Sequence, residues 1–330
     1  MKLSVKLLIS FIAGVFLLSS VVLVIGWQIS QQLSQKQLIE PQLITIKPGE
    51  SLFTLLAELE QKKLISAGWQ IKVLTKLNPD LAHIQAGTFM LQGEMSSLDV
   101  IYHLTQGHPH QFKLTFVEGT NFKQWQAALK QESWLTQTDY SAELAELIQP
   151  YQTAEGLLFP DTYYFTANSS AFSLIKAAFD RMQQTRAELA PQLSEQDWYQ
   201  TLILASIIEK ETAIESEMPL VASVFVNRLN QNMRLQTDPT VIYGLGERYQ
   251  GDIKRSHLQE KTPYNTYQIK GLPPTPIAMP GIAAIKAALN PATSDYLYFV
   301  ADGKGGHVFT TNLKSHNKAV QNYLKQIRNR

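Results

Sequence analysis

The chain has no cysteine among its 330 residues. That removes disulfide staples, thiolate nucleophiles and Cys-ligated zinc from consideration. It also suits an oxidising compartment, where a stray thiol is a liability. Charge is scarce, at 17% of residues, against about 25% in ordinary soluble domains. Neither sign prevails: Lys+Arg 29 and Asp+Glu 28 leave a formal net charge of +1. A chain so balanced is poorly suited to neutralising a phosphate backbone, so nucleic acid is not expected as a partner. There is no G-x-S-x-G elbow, no Walker A loop and no dinucleotide fingerprint. Nucleotide-dependent chemistry therefore has no site, and no cofactor is expected. His103, His108 and His110 cluster in sequence but straddle a predicted helix end, while His307 and His316 lack evident ligand partners, so no metal site is expected. Repeats and low-complexity tracts are also missing.

Apolar residues are plentiful. At 45% hydrophobic and 10% aromatic, the chain can build a sizeable core, and its length suggests about two domains. One stretch stands apart: Leu7 to Trp27, LLISFIAGVFLLSSVVLVIGW, carries no charge. About 20 such residues cross the hydrocarbon of a bilayer. Lys2 and Lys6 precede the run, and the next positive charge is Lys36. The positive-inside rule then predicts a single-pass anchor over 7–28, a cytoplasmic tail over 1–6 and export of everything beyond. A cleaved signal peptide is the rival reading, but its apolar region usually spans about 7–15 residues and ends in a small-residue cleavage site. This run is longer, and no A-x-A pattern follows it. Trp27 fits an interfacial belt, and residues 29–42 read as a polar stalk.

Beyond the stalk the pattern is α+β. Leu43–Ile46 reads as a strand, Lys47–Glu50 as a turn, and Ser51 can cap a helix over Leu52–Gln61. A second helix follows from about Trp69 to Leu77, then a strand at Thr88–Leu91 and a helix over Leu98–Thr105 closed by Gly107. This predicts a small βααβ-like module over 43–108. Residues 109–330 form a larger α+β domain. Its helices are expected at Phe122–Lys130, Ala142–Leu147, Ser173–Glu188, Trp198–Glu211, Pro219–Asn230 and Ile282–Leu289, and a strand at Phe112–Val117. Arg234–Pro280, rich in Gly, Pro, Tyr and Thr, is expected to be loop and short strand. Tyr296–Val300 and His307–Thr311 read as a hairpin around Asp302–Gly306.

The helix containing LILASIIEKET holds the most suggestive chemistry. At about 100° per residue, Ile203, Leu204, Ile207 and Ile208 define one apolar arc, and Glu211 falls within it. Glu209 projects roughly 160° away. A carboxyl on an apolar wall is desolvated, and its pKa rises. That is what a general acid needs near neutral pH. The plainer alternative is that Glu211 sits just past the core end of the helix and reaches water. In Arg234–Thr240, Gln236, Thr237 and Asp238 can offer hydrogen bonds to a polar ligand from a chain that Pro239 keeps extended, although Thr237 or Asp238 could equally cap the next turn. Tyr264 and Asn265, near the stiff Gly271–Pro274 loop, suit sugar recognition or simply a packed surface loop. The aromatic-acid loop with Phe159, Asp161, Tyr163 and Tyr164 has the same two readings.

LASIIEKET, NRLNQNMRLQTDPTVIYGLG, YNTYQIKGLPPTPIAMPG and YLYFVADGKGGHVFTTNLKSHN occur in that order. Together with EGLLFPDTYYFTAN and the apolar N-terminus, they resemble the endolytic murein transglycosylases, the MltG or YceG-like family, over nearly the whole chain after about Leu43. ITIKPGESLFTLLAELEQKKLI is similar to the family's LysM-like module, which would make 43–108 LysM-like and 109–330 the YceG-like catalytic domain. The resemblance implies cleavage of the MurNAc–GlcNAc β-1,4 bond of nascent peptidoglycan without water, leaving 1,6-anhydro-MurNAc ends and so terminating glycan elongation. It implies Glu211 as the catalytic residue, with Glu209 as runner-up. Gln236, Thr237, Asp238, Tyr264 and Asn265 would hold the glycan, and Glu217 would be a supporting acid. It further implies an inner (cytoplasmic) membrane protein with a periplasmic catalytic domain, working beside penicillin-binding synthases. Two alternatives belong to other classes. One is a peptidoglycan hydrolase in which Asp238 or Glu217 activates water; the other is a non-catalytic wall-binding scaffold.

Overall fold

The computed structural model describes residues 2–328. It falls into two compact units, Met1–Phe112 and Lys113–Arg330. Helix and sheet are mixed, and among the described residues the strands form three two-stranded sheets. Lys2 and Lys6, expected to flank the span on its cytoplasmic side, lie outside the residues whose side chains are described.

The first unit opens with α1 (Lys2–Ser34), whose Leu8–Ser34 portion is long and apolar enough to cross a membrane. β1 (Lys36–Ile46), α2 (Leu52–Gln61), α3 (Gly68–Leu77), β2 (Gly87–Ser96) and α4 (Ser97–Gln106) follow. This is the strand–helix–helix–strand order expected from the sequence. β1 and β2 pair antiparallel from Lys36↔Ser96 to Ile46↔Gly87, with an irregularity between Ile39 and Gln42. The expected stalk does not exist as such: α1 runs on to Ser34, and the strand begins at Lys36 rather than Leu43. Nothing in Gln28–Ser34 breaks a helix, and the β2 partner recruits Lys36–Gln42 into the ladder, a pairing that local polarity cannot report. Ser51 accepts the Thr54 N–H at 3.2 Å to start α2, and a Ser96–Asp99 capping box starts α4. Leu55, Leu56 and Leu59 of α2, Ile71 of α3, Phe89 of β2 and Val100 of α4 share one core. Each such side chain contributes about 1.5–3 kcal/mol by leaving water.

The second unit contains most of β3 (Gln111–Thr115), then α5 (Phe122–Gln131), α6 (Ser141–Leu147), β4 (Thr162–Thr166), α7 (Ala171–Leu189) and α8 (Glu195–Glu211). After these come α9 (Met218–Asn230), α10 (Asp238–Leu245), α11 (Arg255–Gln259), α12 (Ile282–Leu289), β5 (Tyr298–Ala301), β6 (His307–Thr310) and α13 (Leu313–Arg328). β3 pairs with β4, and β5 pairs antiparallel with β6. α8 is the central element: every residue from Leu202 to Ile208 is buried, with α9, α10 and α12 packed around it. In place of the single apolar arc expected for α8, its Leu202–Ile208 stretch is enclosed on every side. Ser206 fits there because its hydroxyl donates to Ile203 O at 2.7 Å and accepts the Ile277 N–H at 3.0 Å. Among the described residues, Arg234–Pro280 contains two short α-helices, a 3₁₀ turn at Gly246–Arg248 and no strand. Pro239 is the cause of one: in the first turn of α10 its missing N–H is no loss.

Candidate active site

Glu211 is the last residue of α8, where the enclosed helix emerges. Its half-buried side chain lines a cavity of about 490 Å³ together with Arg228, Gln236, Thr237, Asp238 and Tyr267. Burial pushes the Glu211 carboxyl above its ordinary range, and the charge of Asp238 pushes the same way. The Thr237 hydroxyl, His307 and Arg228 pull it back without cancelling the rise. The C-terminal end of a helix is also the negative end of its dipole, which further disfavours a carboxylate there.

Thr237 occupies the N-cap position of α10 yet makes no side-chain cap. Its hydroxyl donates instead to Glu211 Oε1. Thr266 holds the Thr237 loop in place from behind: its Oγ1 accepts the Thr237 N–H at 3.0 Å, and its carbonyl accepts the Gln236 N–H at 3.2 Å. Gln236 itself sits at φ 51, a left-handed conformation that costs a non-glycine residue about 1–2 kcal/mol. Asp238 is exposed at the cavity, and its Oδ1 accepts the Tyr267 hydroxyl at 2.7 Å.

Arg228 ties the walls together. Its Nε donates to Leu297 O and its Nη1 to Leu235 O, each at 2.6 Å, and its guanidinium lies 5.1 Å over the Tyr298 ring. Sequence reading passed over it, although a signal was present. Arg228 follows Val221, Val224 and Phe225 at helical spacing, on the buried side of α9. Glu217 does not line the cavity. It accepts the His307 N–H at 3.0 Å through Oε1 and meets His307 Nδ1 at 2.7 Å through Oε2. Glu217 thus orients the imidazole whose charge acts on Glu211.

Two expected ligand residues are placed elsewhere. Neither Tyr264 nor Asn265 lines the cavity. Asn265 is 1% exposed, and its amide donates to the carbonyls of His257, Leu258 and Glu260. The amide closes its own loop and has no free donor for a sugar. Tyr264 pairs its hydroxyl with Thr275 at 2.9 Å and its ring with Tyr243. The segment expected as an aromatic-acid loop instead runs into β4, which holds Tyr163 and the exposed Tyr164; Phe159 is buried under Arg181, and the Tyr163 hydroxyl donates to Phe159 O at 2.6 Å. Glu209 lies in a separate cavity of about 300 Å³ with Glu118, Lys210 and Glu215, where Oε2 accepts the Gly281 N–H at 3.0 Å. Among the described residues, no group of three or more His, Cys, Asp or Glu is placed to hold a metal ion.

Glu155, buried outside the cavity, accepts the Phe122 N–H at 3.1 Å and the Tyr243 hydroxyl at 3.1 Å. Burial pushes its carboxyl from an ordinary 4.5 up to about 7. A carboxyl raised by folding stabilises the native state fully below its unfolded pKa, and that stabilisation is lost as pH rises through the folded value. Stability is therefore expected to fall by about 3 kcal/mol between pH ~4.5 and ~7 on this account. Glu155→Gln should flatten that slope in urea unfolding measured across the range; an unchanged slope would assign it to other groups.

Residues 44–322 match the model of the YceG-like family. The chain belongs to that family. It is 32% identical over 308 residues to a Bacillus subtilis (strain 168) protein named endolytic murein transglycosylase, covering 85% of this chain and 84% of that protein. A Streptococcus pneumoniae serotype 2 protein of the same name is 27% identical over 320 residues; the match takes in 85% of this chain and 58% of that longer protein. The crystal structure of a YceG-like protein from Listeria monocytogenes superposes with a TM-score of 0.56 at 30% identity, covering 84% of this chain and 98% of that one. The family match begins at residue 44 and so includes the βααβ-like part of the first unit as well as the cavity that holds Glu211.

Proposed function

We propose that this YceG-like protein is an endolytic murein transglycosylase, cleaving the MurNAc–GlcNAc β-1,4 bond of nascent glycan strands and leaving 1,6-anhydro-MurNAc ends. The observation that carries this reading is the Glu211 carboxyl at a helix end, held towards its protonated form at the wall of an open cavity. The relatives' names support it. With the Thr237 hydroxyl on Oε1, Oε2 is left as the oxygen to which this reading assigns the proton. Oε2 gives it to the glycosidic oxygen as the C1–O bond breaks, and positive charge builds on the ring. The carboxylate then takes the proton of the MurNAc C6 hydroxyl, whose oxygen closes on C1 of the same sugar. One bond to C1 breaks and one forms, Glu211 ends protonated again, and no water is consumed. An intramolecular nucleophile has a high effective concentration, so no second catalytic carboxylate is needed. Asp238, the other carboxylate at the cavity, is engaged by Tyr267, which supports that economy.

In this reading Gln236, Thr237 and Asp238 face the glycan, while Glu217 acts through His307. Residues 43–108 serve as a LysM-like wall-binding module and 109–330 as the catalytic domain. Residues 7–28 anchor the chain in the inner membrane with the catalytic domain in the periplasm. Such tethering confines the enzyme to a thin shell over the bilayer, where penicillin-binding synthases release new strands. Mass spectrometry of muropeptides after digestion tests the reaction: anhydro ends are expected, and reducing MurNAc ends would replace the lyase with a hydrolase. Glu209→Gln should retain much of the cleavage, because Glu209 opens onto the other cavity. A loss as deep as that of Glu211→Gln would undo the assignment.

A further inference from the structure

Among the described residues, the first unit has an apolar stripe that no part of the protein covers. On α3, Trp69, Val73 and Leu77 are 57%, 45% and 79% exposed. Their spacing of four places them along one side of the helix. Lys72 and Lys76 flank the stripe, and α3 carries no acidic residue. Phe53 of α2 extends it, with the Lys72 ammonium 5.8 Å from its ring. An apolar strip edged by lysines is the composition of a helix that lies in a bilayer interface.

Position along α1 identifies the bilayer as the occupant. The apolar run of α1 ends at Trp27, the residue suited to the hydrocarbon boundary. Gln32 lies five residues on, about 7.5 Å further along the axis. The headgroup layer is itself about 5–7 Å thick. Gln32 accepts a hydrogen bond from Gln70, the residue next to Trp69. The start of α3 is thereby held at the outer edge of the headgroup layer, within reach of its long side chains. Leu33 is buried in the core of the first unit and Ile29 packs against it, so no flexible segment separates the span from the module. The module cannot lift away from the membrane without unpacking its own core.

The geometry points to a bilayer-docking surface on α3, in which Trp69, Val73 and Leu77 enter the lipid interface and Lys72 and Lys76 meet its phosphates. This rests on the reading of α1 as a membrane span. The partner is the lipid of the membrane that α1 crosses, and its consequence is a module fixed in height over that surface.

The absence of native cysteine makes the test direct. Full-length chains carrying Val73→Cys, Leu77→Cys, Leu23→Cys or Glu143→Cys would each hold one spin label in liposomes containing anionic lipid. Accessibility to oxygen, which concentrates in lipid, is compared with accessibility to a water-soluble nickel chelate. Labels at 73 and 77 should share the lipid-type ratio of Leu23→Cys and differ in sign of the logarithm from Glu143→Cys, on an exposed part of α6 in the other unit. If 73 and 77 report water while 23 reports lipid, the docking proposal fails and the span stands. If both are shielded from either probe, a protein covers the stripe and the proposal fails. A water-type ratio at 23 would overturn the span and the docking together. Circular dichroism confirms that each labelled chain is folded, and agreement between 73 and 77 guards against a local distortion at either.

Discussion

Glu211→Gln is expected to lower glycan cleavage by about two to four orders of magnitude, the contribution of a positioned general acid–base, in a protein that remains folded. The substitution keeps size and shape. The amide oxygen can still accept the Thr237 hydroxyl, so the cavity wall and the α10 loop stay in place. What disappears is the proton that must reach the leaving oxygen and the carboxylate that must collect another from the C6 hydroxyl. Removing an ionisable group from a site that disfavours its charge should leave thermal stability equal or higher. Muropeptide mass spectrometry and a thermal melt on the same preparation read both quantities. Cleavage close to wild type would remove Glu211 from the mechanism. The pH profile provides a second reading with a fixed sign. Because the protonated form does the first step, wild-type activity should fall as pH rises through the elevated Glu211 pKa, and that limb should be absent from whatever activity the variant retains.

Arg228→Ala should produce the largest loss of stability among single changes at the site. One guanidinium satisfies two carbonyls, of Leu235 and Leu297, that belong to separate segments. Hydrogen bonds from charged donors contribute about 1.5–3 kcal/mol each, and their removal leaves acceptors unpaired, so a destabilisation of about 3 kcal/mol or more is expected. Activity should fall too, since Arg228 fixes both the chain leading to Thr237 and the start of β5 at the cavity wall. Arg228→Lys is the informative companion. It retains the charge but lacks the planar fork that reaches both carbonyls, so it should recover only part of the loss. Urea unfolding measures the first effect and muropeptide release the second. If Arg228→Ala unfolds at the wild-type midpoint, the role of Arg228 in joining these segments is wrong.

Much of this molecule is written locally. The uncharged Leu7–Trp27 run, the capped start at Ser51, the hairpin about Asp302–Gly306 and the helix ending at Glu211 all follow from the periodicity and turn chemistry of neighbouring residues. The separation of Glu209 from Glu211 was legible for the same cause: residues two apart on a helix face different ways, and here they open onto different cavities. The terminal helix α13 went unread because it buries no residue fully and resembles any polar amphipathic segment. Asn265 looked like a ligand for sugars because nothing near it announces that three backbone carbonyls use its amide.

Order along the chain established the membrane-length apolar helix, the mixed helix and sheet, and the carboxyl at the end of α8, since each depends on contacts within a few residues. The environment of that carboxyl had to wait for the fold. Thr237 reaches Glu211 across 26 positions, and Glu217 holds His307 across 90. Hydrogen bonds over such separations leave no periodic trace, because they form where packed helices and a hairpin happen to meet.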